Sequence, residues 1–112
     1  MSKPLLLVAT VASLSILAGC ATHTQNPLDR YTYRGEPLVK QVETGMTRDR
    51  VLALGGEPSS TVDRRARPGT CNNYVLYREG KEQPYYVSFD GAGRVDGKGF
   101  LTCRQLEENQ RN

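Results

Sequence analysis

Apolar and polar positions follow three regimes along this chain. From Pro4 to Leu17 nearly every residue is apolar, broken only by Thr10, Ser13 and Ser15. From Ala21 to about Gly35 the chain is polar, with Asn26-Pro27, scattered charges and no sustained apolar period. Helical spacing follows. Pro37 suits the first helical position and Glu36 lies near the positive end of the helix dipole. Leu38, Val39 and Val42 form an apolar stripe that Gly45 ends. Thr47 is a good N-cap for a second helix, Arg48 to about Leu54, in which Val51 and Leu54 share a face beside Leu52. Gly55-Gly56 stop it, and Pro58 prevents its resumption.

Beyond Pro58 the period changes to two. Asn73 to Tyr77 is aromatic and β-branched and predicts a strand. Glu79-Gly80-Lys81 makes a turn, and Pro84 opens a second strand, Tyr85 to Phe89. There Tyr85, Val87 and Phe89 share one face, while Tyr86, Ser88 and Asp90 share the other. Asp90-Gly91-Ala92-Gly93 supplies a hairpin connection. A third strand begins at Arg94-Val95 and continues through Gly99-Phe100-Leu101 to Cys103. Thr61 and Val62 suggest a short additional edge strand. The charged tail from Arg104 is expected to fray or form one helical turn. The pattern predicts an α+β domain, with two short N-terminal helices packed on one face of a three-stranded antiparallel sheet.

The first apolar run is about 14 residues long, short of the ~20 that a spanning helix needs. With Lys3 before it, the run reads as a secretory signal. Its ending, Leu17-Ala18-Gly19-Cys20, resembles a bacterial lipobox, in which cleavage falls before a cysteine that receives lipid. Ordinary cleavage after Ala18 or Gly19 is the milder alternative. The expected organisation is a signal peptide over 1–19, a lipidated flexible tether over 20–35 and a folded domain over 36–112. Ala21 stands where an aspartate would favour retention in the inner membrane, so the outer membrane, facing the periplasm, is expected. Tyr31 and Tyr33 would rest on the membrane interface or pack on the domain.

The mature chain would have 93 residues, enough for one thin core. Losing Lys3 leaves 14 basic residues against 12 acids, a net charge of +2. That balance, without an interleaved aromatic and basic face, argues against a nucleic-acid partner. With Cys20 given to lipid, Cys71 and Cys103 remain. In an oxidising compartment they read as one disulfide. A metal or nucleophile pair lacks support, because the only histidine, His23, falls in the tether.

No catalytic residue is assigned. The mature serines, Ser59, Ser60 and Ser88, have no histidine in the folded region to activate them. Glu57 with Asp63, and Asp90 with Asp96, are the candidate acid pairs, but all four fall in turn-like or exposed positions. Gly91-Ala92-Gly93 lies between strands and opens no helix, so it cradles no phosphate. No metal, cofactor or small-molecule substrate is expected. Arg64, Arg65 and Arg67, on a loop before the first strand, could meet anionic headgroups or a carboxylate-rich partner; the plain alternative is a solvated loop. Tyr74, Tyr77, Tyr85 and Tyr86 raise a similar question, since the sheet face opposite the helices would lie open.

Gly45-Met46-Thr47 with Val51 four residues on, followed by Gly56-x-Pro58, resembles the SmpA/OmlA family of small outer-membrane lipoproteins. That family includes the small accessory subunit of the β-barrel assembly machinery. A closer likeness, to an osmotically induced member, rests on the lipobox, Gly56-x-Pro58-Ser59-Ser60, Gly69-Thr70-Cys71 and Thr102-Cys103. The resemblance implies a non-catalytic, osmotic-stress-induced outer-membrane lipoprotein. Such a protein would serve envelope maintenance by binding outer-membrane proteins or peptidoglycan. The alternative is an accessory or inhibitor module for one periplasmic partner, such as an outer-membrane assembly machine.

Overall fold

The computed structural model describes residues 22–111. Cys20 and the signal segment lie outside the described residues. In chain order the elements are α1 (Pro27–Thr32), α2 (Pro37–Gln41), α3 (Arg48–Gly55), β1 (Ser60–Asp63), β2 (Thr70–Arg78), β3 (Lys81–Phe89), β4 (Val95–Gly99) and α4 (Cys103–Arg111). The sheet is antiparallel with order β1-β2-β3-β4. The domain is therefore α+β as expected, with four strands instead of three. The edge strand at Thr61 and Val62 is real and one residue longer at each end. Among the described residues no helix is long and apolar enough to cross a membrane.

Local chemistry explains each boundary. Thr47 Oγ1 accepts from the Arg50 N–H at 3.2 Å and starts α3; Gly56, at φ 76°, ends it. α2 is shorter than its apolar stripe suggested, because Val42 turns to extended backbone at ψ 130°. Lys98 Nζ then donates to the carbonyls of Val39 and Val42 at 2.8 and 2.6 Å, satisfying two acceptors at the end of this helix. Glu79 and Gly80, both at positive φ, form the two-residue turn between β2 and β3.

Pro84 lies inside β3, opposite Val75, rather than at its start. Counting from the turn, the main-chain groups of residue 84 point away from β2, toward the line of β4. A proline has no N–H to give there, and β4 pairing ends at Gly99, opposite Tyr86. The third strand thus stops short of Cys103, which instead begins α4.

Tyr85, Val87 and Phe89 face Leu38, Val42 and Val51 in the main core, joined by Tyr74, Leu76, Val95 and Phe100. The expected alternation in β3 holds, but its second face is not open. Tyr86 and Cys71 pack there with Leu101, Cys103 and Leu106, under α4. Tyr74, Tyr85 and Tyr86 are all buried, and only Tyr77 of the four tyrosines is exposed. Burial drives the Tyr85 hydroxyl far above its ordinary pKa, with Tyr86 adding to the shift and Arg30 opposing it.

Two segments expected to be loose are ordered. Residues 22–35 carry α1, started by Asn26, whose side chain accepts from the Leu28 N–H, and by Pro27. Tyr33 is 1% exposed, lies 6.1 Å from the Phe100 ring and donates its hydroxyl to Lys81 O; Tyr31 stays outside. The tail forms nine-residue α4 through a reciprocal capping box. Thr102 Oγ1 accepts from the Gln105 N–H, and Gln105 Oε1 accepts from the Thr102 N–H.

Candidate functional site

The chemistry of this domain concentrates where the β1–β2 loop meets α4. Arg64 N–H donates to Gly69 O at 3.0 Å, closing the loop. Gly69 sits at φ 115°, and a Cβ there would fall 1.9 Å from Phe89 O. Only glycine lets the loop approach the end of β3 this closely. That approach allows Arg64 Nη1 to donate to Phe89 O at 3.0 Å and to both Asp96 oxygens, at 3.0 and 2.9 Å. Nη2 donates to Gln110 Oε1 of α4 at 3.1 Å. Ser88 Oγ completes the cluster by donating to Asp96 Oδ1 at 2.7 Å.

Arg64 is therefore not part of an exposed patch. Its side chain is 1% exposed, against 29% for Asp96. Burial pushes the Asp96 carboxyl up. Hydrogen bonds from Arg64 and Ser88, with the charges of Arg64 and Arg67, outweigh that and hold it below the usual carboxylate range. The ion pair locks β1, β3, β4 and α4 together, so Arg64 is structural. Arg65 and Arg67 remain on the surface. Sequence spacing could not separate the three, because the loop does not follow a helical or strand period.

Glu107 of α4 reaches the same loop, accepting the Arg65 N–H at Oε2 and the Ala66 N–H at Oε1. Burial pushes its carboxyl up, but these two bonds and the charges of Arg64 and Arg111 leave it lowered overall. Beside it a cleft of about 360 Å³ opens between β1 and α4, lined by Val62, Arg65, Arg104 and Arg111 among others. A second cleft, of about 460 Å³, lies between the start of α3 and the β3–β4 turn and holds Arg48 and Arg94.

Cys71 and Cys103 are joined, with Cα atoms 5.9 Å apart. Their bridge ties β2 to the first residue of α4. Cys103 N–H also donates to Asn73 Oδ1 at 2.8 Å.

The acid pairs are occupied differently from a catalytic arrangement. Asp90 Oδ1 accepts the N–H groups of Ala92 and Arg94 and shapes the turn; Asp96 is taken by Arg64. Glu57 and Asp63 are exposed. His23 bonds α4: its N–H donates to Asn109 Oδ1, Asn109 Nδ2 returns a bond to His23 O, and Nε2 lies 2.5 Å from Glu108 Oε1. Among the described residues no group of three or more His, Cys, Asp or Glu side chains is placed to hold a metal.

Helices on both faces of a short antiparallel sheet, with one disulfide and a polar clamp, define a small α+β domain. The chain belongs to the BamE family: the model of the outer membrane protein assembly factor BamE domain matches residues 32–99. That match ends at Gly99, before Cys103 and α4. Over 102 residues the chain is 35% identical to OsmE of Escherichia coli (strain K12), an osmotically inducible protein named as a lipoprotein. The alignment covers 90% of this chain and 88% of that one. OsmE of Escherichia coli O157:H7 matches to the same extent. A crystal structure of an osmotically inducible lipoprotein OsmE superposes with TM-score 0.73 at 53% identity. It covers 77% of this chain and 90% of that one.

Proposed function

We propose that this chain is a non-catalytic lipoprotein of the bacterial outer membrane, anchored through Cys20 and facing the periplasm. The observation that carries the reading is Leu17-Ala18-Gly19-Cys20, in a chain that aligns along 90% of its length with a relative named as a lipoprotein. The disulfide suits an oxidising compartment. The protein works by binding, to outer-membrane proteins or to peptidoglycan, and serves envelope maintenance under osmotic stress. The exposed surface available for this lies along β1 and the 65–68 loop. β1 is an edge strand, and by the alternation of the ladder Thr61 and Asp63 turn their main-chain groups outward.

The first test is Cys20→Ser. It should leave an unlipidated precursor or a soluble protein, and fractionation with outer membranes would contradict the anchor. A second reading, an accessory module of an outer-membrane assembly machine, is favoured by the family model that spans α2 to β4. Cross-linking in intact envelopes separates the two. One stoichiometric protein partner supports the accessory module; peptidoglycan or many partners support the general role.

A further inference from the structure

The most unexpected feature of the fold is how few residues separate Cys20 from the first ones bonded to the domain. His23 is clamped to α4 by its two-way bond with Asn109 and by Glu108. Gln25 is held next, its Oε1 accepting from the Phe100 N–H at 2.7 Å while its amide packs beside Gly99. Covalent geometry limits the span from Cys20 to His23 to about 11 Å, since each extended residue advances at most ~3.6 Å. The polar layer outside the hydrocarbon is itself about 5–7 Å thick on each side. A domain anchored this way cannot stand off the membrane.

The attachment point also selects the face turned to the bilayer. Arg104, Glu108 and Arg111 are spaced i, i+4 and i+7 on α4 and fall on one side of that helix. Leu106 and Cys103 take the opposite, buried side. Arg104 is 76% exposed at its side chain and pairs with Glu108 at 3.2 Å, and Arg111 is exposed as well. The anchor therefore leaves the domain beside two exposed guanidinium groups, which suit phosphate oxygens.

We infer that the outer face of α4, with the docked segment 22–26, is a membrane-apposed surface. It holds the domain flat on the phospholipid headgroups of the leaflet that carries its own lipid. The inference rests on Cys20 being lipidated. It leaves β1 and the β2–β3 turn as the parts that reach toward partners.

The test uses the full lipidated chain in nanodiscs of phosphatidylethanolamine and phosphatidylglycerol carrying a headgroup nitroxide, with amide signals read by NMR. The mass of the protein establishes whether Cys20 carries lipid. The expected result is loss of amide signal at residues 22–25, 104, 108 and 111, with Glu79 and Gly80 spared. Asn109→Ala with Gln25→Ala, which frees the segment, should restore the α4 signals, while Arg104→Gln with Arg111→Gln should weaken the loss and leave the clamp intact. Lipid on Cys20 with uniform signal loss, or with loss greatest at the β2–β3 turn, overturns the apposed face and leaves the lipoprotein reading standing. A mature chain with no lipid on Cys20 overturns both.

Discussion

The two faces of the sheet are held by different physics. One face carries Tyr85, Val87 and Phe89 against α2 and α3, and its stability comes from apolar burial. The other carries Cys71, Tyr86 and Ser88 under α4, a helix whose only buried residues are Cys103 and Leu106. There a disulfide, the Arg64–Asp96 pair and the Glu107 bonds to the loop replace most of the hydrophobic contact. The first face makes the fold, and the second attaches a polar helix to it. His23 also docks on α4 there, on the side proposed above to face the membrane.

The largest effect should come from the apolar face. Phe89→Ala removes a fully buried ring and should cost about 3–5 kcal/mol, read by denaturant melts. If that loss stayed near 1 kcal/mol, the core would not depend on this face. The disulfide comes next. Replacing Cys71 and Cys103 by Ala should cost about 3–4 kcal/mol for a loop of this length, since the open chain regains entropy. Native-like circular dichroism with reduced α4 helicity is the accompanying signature.

Arg64→Met should cost about 2 kcal/mol, because Asp96 is left facing an apolar group but retains some contact with water. The same pair sets an acid limit. Asp96 has its folded pKa below the ordinary 3.8, so its contribution is complete above that value and is lost as pH falls through the lowered one. Melting temperature should therefore drop below about pH 4, and the Asp96→Asn variant should show a shallower drop over the same window. Identical acid limbs would remove the ion pair from the account. Arg65→Gln with Arg67→Gln is the smallest change, within about 0.5 kcal/mol, as expected of surface positions. A larger loss would mean that the loop is held by all three arginines.

The contrast between the faces also explains what was legible in the sequence. Thr47, Gly56 and the Tyr85-Val87-Phe89 alternation announce the apolar face, because caps and periods are local signals. α4 has too few apolar residues to show a stripe, since Leu106 is its one large apolar anchor. Its one local signal, Thr102-x-x-Gln105, is used as a capping box, although the charge of the tail suggested fraying or a single turn. Asn26-Pro27 likewise marked α1 within a segment that composition alone made look like a tether. The burial of Arg64 had no local mark at all. It depends on Asp96 and Gln110, 32 and 46 residues away, and on the glycine at 69 that lets the loop close. Cys71 and Cys103 were the exception on this face, because the expected compartment and the cysteine count pointed to their pairing before any contact was known.

Amide hydrogen exchange on the reduced protein tests the division between the faces most directly. With the disulfide opened, α4 and residues 22–26 should lose protection while β2, β3 and α3 keep theirs, because the apolar core does not need the bonded face. If all elements instead lose protection together, the two faces form a single cooperative unit and the division is wrong.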